Sequence, residues 1–208
     1  MKSQVEPNHY FKKNYDSKTR FISYWHQINE ITEINPNTVL EIGIGNKFVS
    51  KYLKERNFNV TTLDIDERLK PDKVGSVLRI PYNENFFDVV ACYELLEHLE
   101  YKYFQKALSE IHRVSKNYAI LSLPDCSRVY RIFIQIPRLG VLKTFVPIPI
   151  WGKRKHSFDG EHYWEIEKLG YPLNRIREDI TKVGFKIVKT YRIFEHPYHR
   201  FFVLEKDI

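Results

Sequence analysis

The stretch Glu94-Leu-Leu-Glu97-His98 sets two carboxylates and an imidazole within five residues. On a helix, positions i, i+3 and i+4 share one face, so the three side chains are expected to converge. Such a group can take a proton from a reacting hydroxyl, and His98 is the first choice for that base. Carboxylates and imidazoles are also ligands for a divalent cation such as Mg2+, which would lower the pKa of a bound hydroxyl. His156 or His162 can complete that site, although the expectation is chemistry without a metal. A second constellation lies upstream. Gly43-Ile-Gly45-Asn46 follows a short apolar run, and twenty-one residues past Gly43 stands Asp64. Glycines permit unusual backbone angles and close approach. A carboxylate at the end of the next strand can accept hydrogen bonds from both hydroxyls of a ribose. Position 48 is Phe, not the third glycine of a dinucleotide fingerprint, and no phosphate-binding GxxxxGK[ST] run occurs.

These residues need a scaffold that brings strand ends together. Ser17 to Ile34 reads as an amphipathic helix, capped by Asp16 or Ser17, with Phe21, Trp25, Ile28 and Ile31 at helical spacing. Asn35-Pro36-Asn37 stops it. Strands are expected at Thr38–Ile42, Asn59–Asp64, near Lys73–Val77, Phe87–Cys92 and Tyr118–Leu123. Helices are expected from Lys47 to Arg56 and from Leu95 to Val114. This alternation implies a parallel sheet covered on both faces, with right-handed crossovers. After Pro124 the rhythm breaks, and it resumes with a helix over Leu173–Val183 and strands Phe185–Tyr191 and His199–Glu205, close enough to pair antiparallel. The chain therefore divides into an N-terminal arm and helix (1–37), a nucleotide-binding half (38–124), a lid-like insertion (125–171) and a C-terminal helix with two strands (172–208).

Glu41-Ile-Gly43-Ile-Gly45 resembles motif I of the class I S-adenosylmethionine-dependent methyltransferases, and Asp64-Ile-Asp66 resembles their second acidic motif. The block from Gly75-Ser-Val through Ile-Pro81 and Phe87-Asp-Val-Val to Leu-Glu97-His98-Leu99 is similar to that family's "G-D-x-x-x-L-P-F … F-D-x-V … L-E-H-L" pattern. The resemblance covers residues 38–124 well and 160–206 loosely. It implies a Rossmann-like methyltransferase fold, α/β, with a seven-stranded mostly parallel sheet, helices on both faces and an antiparallel last strand. It also implies S-adenosylmethionine as cofactor. Gly43, Gly45 and Asn46 would form the cofactor loop and Glu41 would steady it. Asp64 would hold the ribose, Ile65 and Val77 would sandwich the adenine, Ser76 would reach its amino group, and Tyr93 would touch the methionine moiety. Tyr15 or Arg20 from the arm can close over the carboxylate. Glu94, Glu97 and His98 would be the catalytic group, in a spacing similar to the metal sites of ubiquinone-biosynthesis and small-RNA 2′-O-methyltransferases. Two positions depart from the pattern. Lys47 stands where the family often has a third glycine, and Ser76 stands where it often has Asp.

Composition narrows the rest. Apolar residues make up 43% and charged residues 28%, an ordinary globular balance. Net charge is +7, with no Arg/Lys run of the kind that makes a nucleic-acid arm. Cys92 and Cys126 form no CxxC pair, and the first sixteen residues are too polar for a signal peptide, so a cytoplasmic protein is expected. The apolar run Ile132–Trp151 is interrupted by Gln135, Pro137, Arg138, Lys143, Pro147 and Pro149, which argues against a spanning helix. Within 125–171, Arg128, Tyr130, Arg131, Phe133, Phe145, Trp151, Lys153, Arg154, Lys155, Tyr163 and Trp164 mix rings with cations. They read as a water-excluding lid, as a small helical subdomain, or as a peripheral membrane contact. A small-molecule acceptor methylated at oxygen is the leading expectation. The alternatives are RNA, a lipid-borne acceptor and a non-catalytic cofactor-binding protein.

Overall fold

Nine strands and four helices account for most of the chain in the computed structural model, which describes residues 5–149, 152 and 154–207. In chain order they are α1 (Lys18–Ile34), β1 (Thr38–Ile42), α2 (Phe48–Glu55), β2 (Asn59–Asp64), β3 (Lys73–Val74), β4 (Phe87–Tyr93), α3 (Phe104–Val114), β5 (Ser115–Pro124), β6 (Val129–Ile136), β7 (Gly140–Pro147), α4 (Leu173–Lys182), β8 (Phe185–Arg192) and β9 (His199–Lys206). Seven strands form one sheet in the order β3-β2-β1-β4-β5-β9-β8. The pairings within β1–β5 are parallel, and β9 runs antiparallel to both its neighbours. This is the Rossmann-like methyltransferase architecture that the sequence implied.

The sheet is buried on both faces because its strands are apolar at successive positions. Leu40, Ile42, Val90 and Cys92 join the core beneath α3 and α4, while Val39, Val89, Ala91 and Tyr93 join the core beneath α1 and α2. The strand order turns outward in both directions from β1 and β4. A crevice must open beyond their carboxyl ends, and the turns after β1, β2 and β4 all lie there.

Several expectations need correction. Ser17 caps α1 as foreseen, its hydroxyl accepting from the Arg20 amide, but the buried face of α1 is Ser23, Tyr24, Gln27, Glu30 and Ile31. Phe21 and Trp25 are exposed. A mostly polar face can be buried here because its groups are partnered: Ser23 by His199 and Glu30 by Lys189 and Tyr191. The long helix from Leu95 does not form. Two short 3-10 turns, Leu96–His98 and Tyr101–Tyr103, precede α3. The described residues of the insertion form no helix; β6 and β7 make a separate two-stranded hairpin. Trp164 belongs to the core rather than to a lid; it is fully buried, with its indole Nε1–H donating to the Leu99 carbonyl. Trp151 and Lys153 lie outside the described residues. Among the described residues no helix is long and apolar enough to cross a membrane.

Candidate active site

Beyond the carboxyl ends of β1, β2 and β4 lies a cavity of about 470 Å3, within the usual range for small-molecule sites. The residues that the sequence assigns to the cofactor and to the catalytic group all line it: Glu41, Gly43, Gly45, Asn46, Asp64, Ile65, Ser76, Val77, Tyr93, Glu94, Glu97 and His98; His156, expected as a further member of that group, does not.

One end is built by the turn after β1. Gly43 and Gly45 have φ of +79° and +48°, a left-handed backbone that side chains with a Cβ disfavour. A Cβ on Gly43 would sit 2.2 Å from Leu95 Cδ1, so the close approach it permits is to the turn after β4. Lys47 is also left-handed, at φ +63°, which explains why glycine suits that position in the resembling family. Asp64 joins the turns. One carboxylate oxygen accepts from the Ile44 amide at 2.9 Å and the other from the Asp66 amide at 2.8 Å. Burial pushes its pKa up. Asn46 works within the protein: its side-chain oxygen accepts from the Phe48 amide, and its NH2 donates to Asp16 and Tyr24. Ser76 Oγ likewise accepts from the Leu78 amide. The Tyr93 hydroxyl donates to the Gln27 carbonyl. Glu41 is buried with one carboxylate oxygen unpartnered among the described residues, and burial pushes its pKa up to about 7.

The other end holds the acid–imidazole group. Glu94, Glu97 and His98 converge, but by a turn and not by a helix face. Glu94 has φ +44°, and its amide is anchored to Ser122. A left-handed non-glycine residue beside a cavity is backbone strain of the kind found at functional sites. Burial pushes Glu94 up to about 7 and raises Glu97 well above the usual carboxylate range. Both oxygens of Glu97 and one of Glu94 have no hydrogen-bond partner among the described residues.

Three imidazoles face this pair, and the Nε2 of His199 lies 3.5 Å from Glu94. His98 Nδ1–H donates to the Glu161 carbonyl at 3.0 Å, and burial pushes its pKa down to about 4. His162 has the opposite setting. Burial alone would lower its pKa, but Nδ1–H donates to Glu165 at 3.1 Å, and with nearby Asp159 the net shift is upward. Glu165 also accepts from the Tyr198 hydroxyl, and His162 Nε2 lies 4.0 Å from Glu97. Glu97, His98 and His162 each offer a ligand atom within 4.8 Å of the others.

The N-terminal arm closes the cavity. Tyr10 and Tyr15 lie against Gly45, and Arg20 stacks 4.0 Å over the Tyr15 ring while donating to its carbonyl and hydroxyl. Tyr10, Ser23, Gln27, Glu161, Tyr198 and His199 also line the cavity. Sequence reading missed these six because they come from distant elements and carry no local pattern. Among the described residues of the insertion, only Glu161, His162 and Tyr163 reach the cavity; the β6–β7 hairpin does not line it.

Comparisons with known proteins agree with this architecture. Residues 40–123 match the model described as a methyltransferase domain. An uncharacterized protein of Methanocaldococcus jannaschii is 38% identical over 86 residues, covering 38% of this chain and about a third (36%) of that protein's length. Magnesium protoporphyrin IX methyltransferase from Synechocystis, solved with bound S-adenosylhomocysteine, superposes with a TM-score of 0.62 at 12% identity, over 96% of this chain and 92% of that one. The Burkholderia thailandensis 1,6-didemethyltoxoflavin-N1-methyltransferase, solved with its acceptor and S-adenosylhomocysteine, gives 0.58 at 14% identity, over 100% and 93%. Residues 40–123 thus match a methyltransferase-domain model, and the chain as a whole has the fold of the class I S-adenosylmethionine-dependent methyltransferases.

Proposed function

We propose that this chain is an S-adenosylmethionine-dependent methyltransferase acting on a small-molecule acceptor at oxygen. One observation carries the reading: a single cavity is lined at one end by the Gly43–Asn46 turn and Asp64, and at the other by Glu94, Glu97, His98 and His162. The two structural neighbours described above, both solved with S-adenosylhomocysteine, support the cofactor. The residues present fit it. Asp64 keeps lone pairs toward the cavity after serving two amides, Ile65 and Val77 flank the space beside it, and Tyr10 and Tyr15 cover the turn. When bound, the cofactor supplies a methyl group already activated by its sulfonium, so the protein's task is to orient the acceptor and manage its proton.

For that proton the geometry favours His162 over the expected His98. A base oriented by a third group is the usual arrangement for activating a hydroxyl, and Glu165 orients His162 through Nδ1, leaving Nε2 toward the cavity. His98 is held neutral by burial and, with Glu161, shapes the acceptor end. Calorimetric titration with S-adenosylhomocysteine tests the cofactor half. We expect binding to the wild type and its loss in Asp64→Ala. Absence of heat or thermal protection with the wild type would overturn the reading.

A second reading for the same end rests on the unpartnered oxygens of Glu97 and Glu94. A buried and a half-buried carboxylate beside three imidazoles fit a divalent cation, which would satisfy those oxygens and hold an acceptor hydroxyl in ionisable form. Glu97, His98 and His162 would be its ligands. Thermal denaturation with and without Mg2+ or Mn2+ decides: stabilisation that Glu97→Gln abolishes supports the cation, and no shift in the wild type rejects it.

A further inference from the structure

The β6–β7 hairpin leaves the body of the protein with an apolar surface that nothing in the fold covers. Its register pairs Tyr130 with Val146, Ile132 with Thr144, Ile134 with Leu142 and Ile136 with Gly140. Opposed residues of an antiparallel pair project to the same side, so these residues share one face, and Thr144 is its one polar side chain apart from the Tyr130 hydroxyl. The large side chains on it are all exposed, from 38% at Ile132 to 63% at Tyr130, and Leu139 at the tip is 82% exposed. The opposite face is tied at its base: Arg131 donates to the Glu195 carbonyl, Lys143 pairs with Glu195, and Phe145 packs on Phe194. The uncovered face therefore points away from the body. An exposed apolar surface of this kind marks an interaction site.

Charge identifies what it meets. Between residues 126 and 158 there are seven Lys and Arg and no Asp or Glu. The other 26 Lys and Arg of the chain are matched by its 26 Asp and Glu, so the net +7 resides in this segment. A second copy of the chain is a poor occupant. Eight-residue strands span roughly 27 Å, and two strands are about 10 Å wide, giving a face of about 270 Å2, against the ~800 Å2 per partner of a standard interface. Apolar side chains in a segment whose charged residues are all cationic, with a leucine beside Arg138 at the tip, fit the boundary of an anionic bilayer. We infer that the hairpin docks this protein onto an anionic membrane surface.

Docking would set the cavity close to the lipid. The segment that grips the hairpin base at Phe194 and Glu195 continues to Tyr198 and His199, which line the cavity. Three residues of chain reach at most about 11 Å.

The test is cosedimentation of the apo protein with 100-nm vesicles of phosphatidylcholine and phosphatidylglycerol (1:1), against phosphatidylcholine alone. We expect at least tenfold tighter binding to the anionic vesicles, weakened but not abolished by 0.5 M salt. The variants Leu139→Asp and Ile134→Asn/Leu142→Asn change only exposed positions. They should lose at least tenfold in vesicle binding while keeping the wild-type melting temperature and S-adenosylhomocysteine affinity. Three results would overturn the proposal: no preference for anionic vesicles, variants that bind like the wild type, or a wild-type dimer or RNA complex that the same variants dissolve in place of vesicle binding. Because vesicle binding needs no cofactor, its failure would leave the reading of the cavity intact, and the converse also holds.

Discussion

Asp64→Asn separates the pinning of two turns by Asp64 in this structure from the ribose contact proposed for it. Its two oxygens serve the amides of Ile44 and Asp66 at 2.9 and 2.8 Å. Asparagine offers one oxygen and one NH2, so one buried amide loses its acceptor, at a cost of about 1–3 kcal/mol. Burial already disfavours the charged form of Asp64, so removing the charge returns part of that cost, and the lower half of the range is expected. For a chain of this length, about 1–2 kcal/mol corresponds to a fall of roughly 2–8 °C in Tm. The effect on the ligand is separate. Losing a charge-assisted hydrogen bond to a ribose hydroxyl costs about 1.5–3 kcal/mol, which is roughly 10- to 150-fold in Kd for S-adenosylhomocysteine. The assay pairs thermal denaturation of the apo protein with calorimetric titration, using Asp66→Asn as the matched control. Asp66 is buried nearby and pairs with Arg68, and it does not line the cavity. The control should lose stability but keep affinity within about twofold. If Asp64→Asn weakens binding no more than Asp66→Asn does, Asp64 only pins the loop and the assignment of the ribose to it is wrong.

Three further outcomes follow from the same geometry. Imidazole NMR titration should show His162 titrating above 6.5 and falling in Glu165→Gln, with His98 neutral down to about pH 4; the reverse order would restore His98 as the base. Glu94 is raised by burial to about 7, so the stability it contributes is complete below its unfolded pKa of about 4.5 and is lost as pH rises through 7, by up to about 3 kcal/mol. With a chelator present, Glu94→Gln should therefore gain Tm relative to wild type between pH 5 and 8, and a flat difference would contradict the assigned burial. Gly43→Ala must hold a Cβ at φ +79° and push Leu95 aside. The combined cost of about 2–4 kcal/mol predicts a Tm lower by roughly 4–16 °C, measurable by circular dichroism.

Much of the fold was legible because its signals are local. β1 stops before Gly43, β2 and β5 end at Asp64 and Pro124, β4 is a short apolar run, and α2 and α4 start and stop within two residues of their expected bounds. The same locality made Gly43, Asp64 and Glu94–His98 readable as one cavity. What escaped was non-local. Leu95–His98 has helical composition, yet it bends because Glu94 is tied back to Ser122 on β5, and tertiary anchoring outweighs propensity. The α1 face was misread because its buried side is polar and finds its partners in β8 and β9. The hairpin was hidden by its prolines and arginines, which read as irregular chain. His162 and Glu165 were visible as residues, but their meeting with Glu97 depends on how residues 159–166 cross the sheet's edge.

The placement of β9 carries a consequence for how the protein is made. β9 sits between β5 and β8, and β8 pairs with no other strand among the described residues. A growing chain that has not yet released His199 can assemble β1 through β5 but leaves the apolar edge of β5 open and β8 without a seat. Joining Tyr118 to Glu205 spans 87 positions of sequence, a slow closure for a chain to make. Until then the unfinished sheet presents a strand edge of the kind that recruits other chains, so the seven-stranded sheet closes only once β9 has been made.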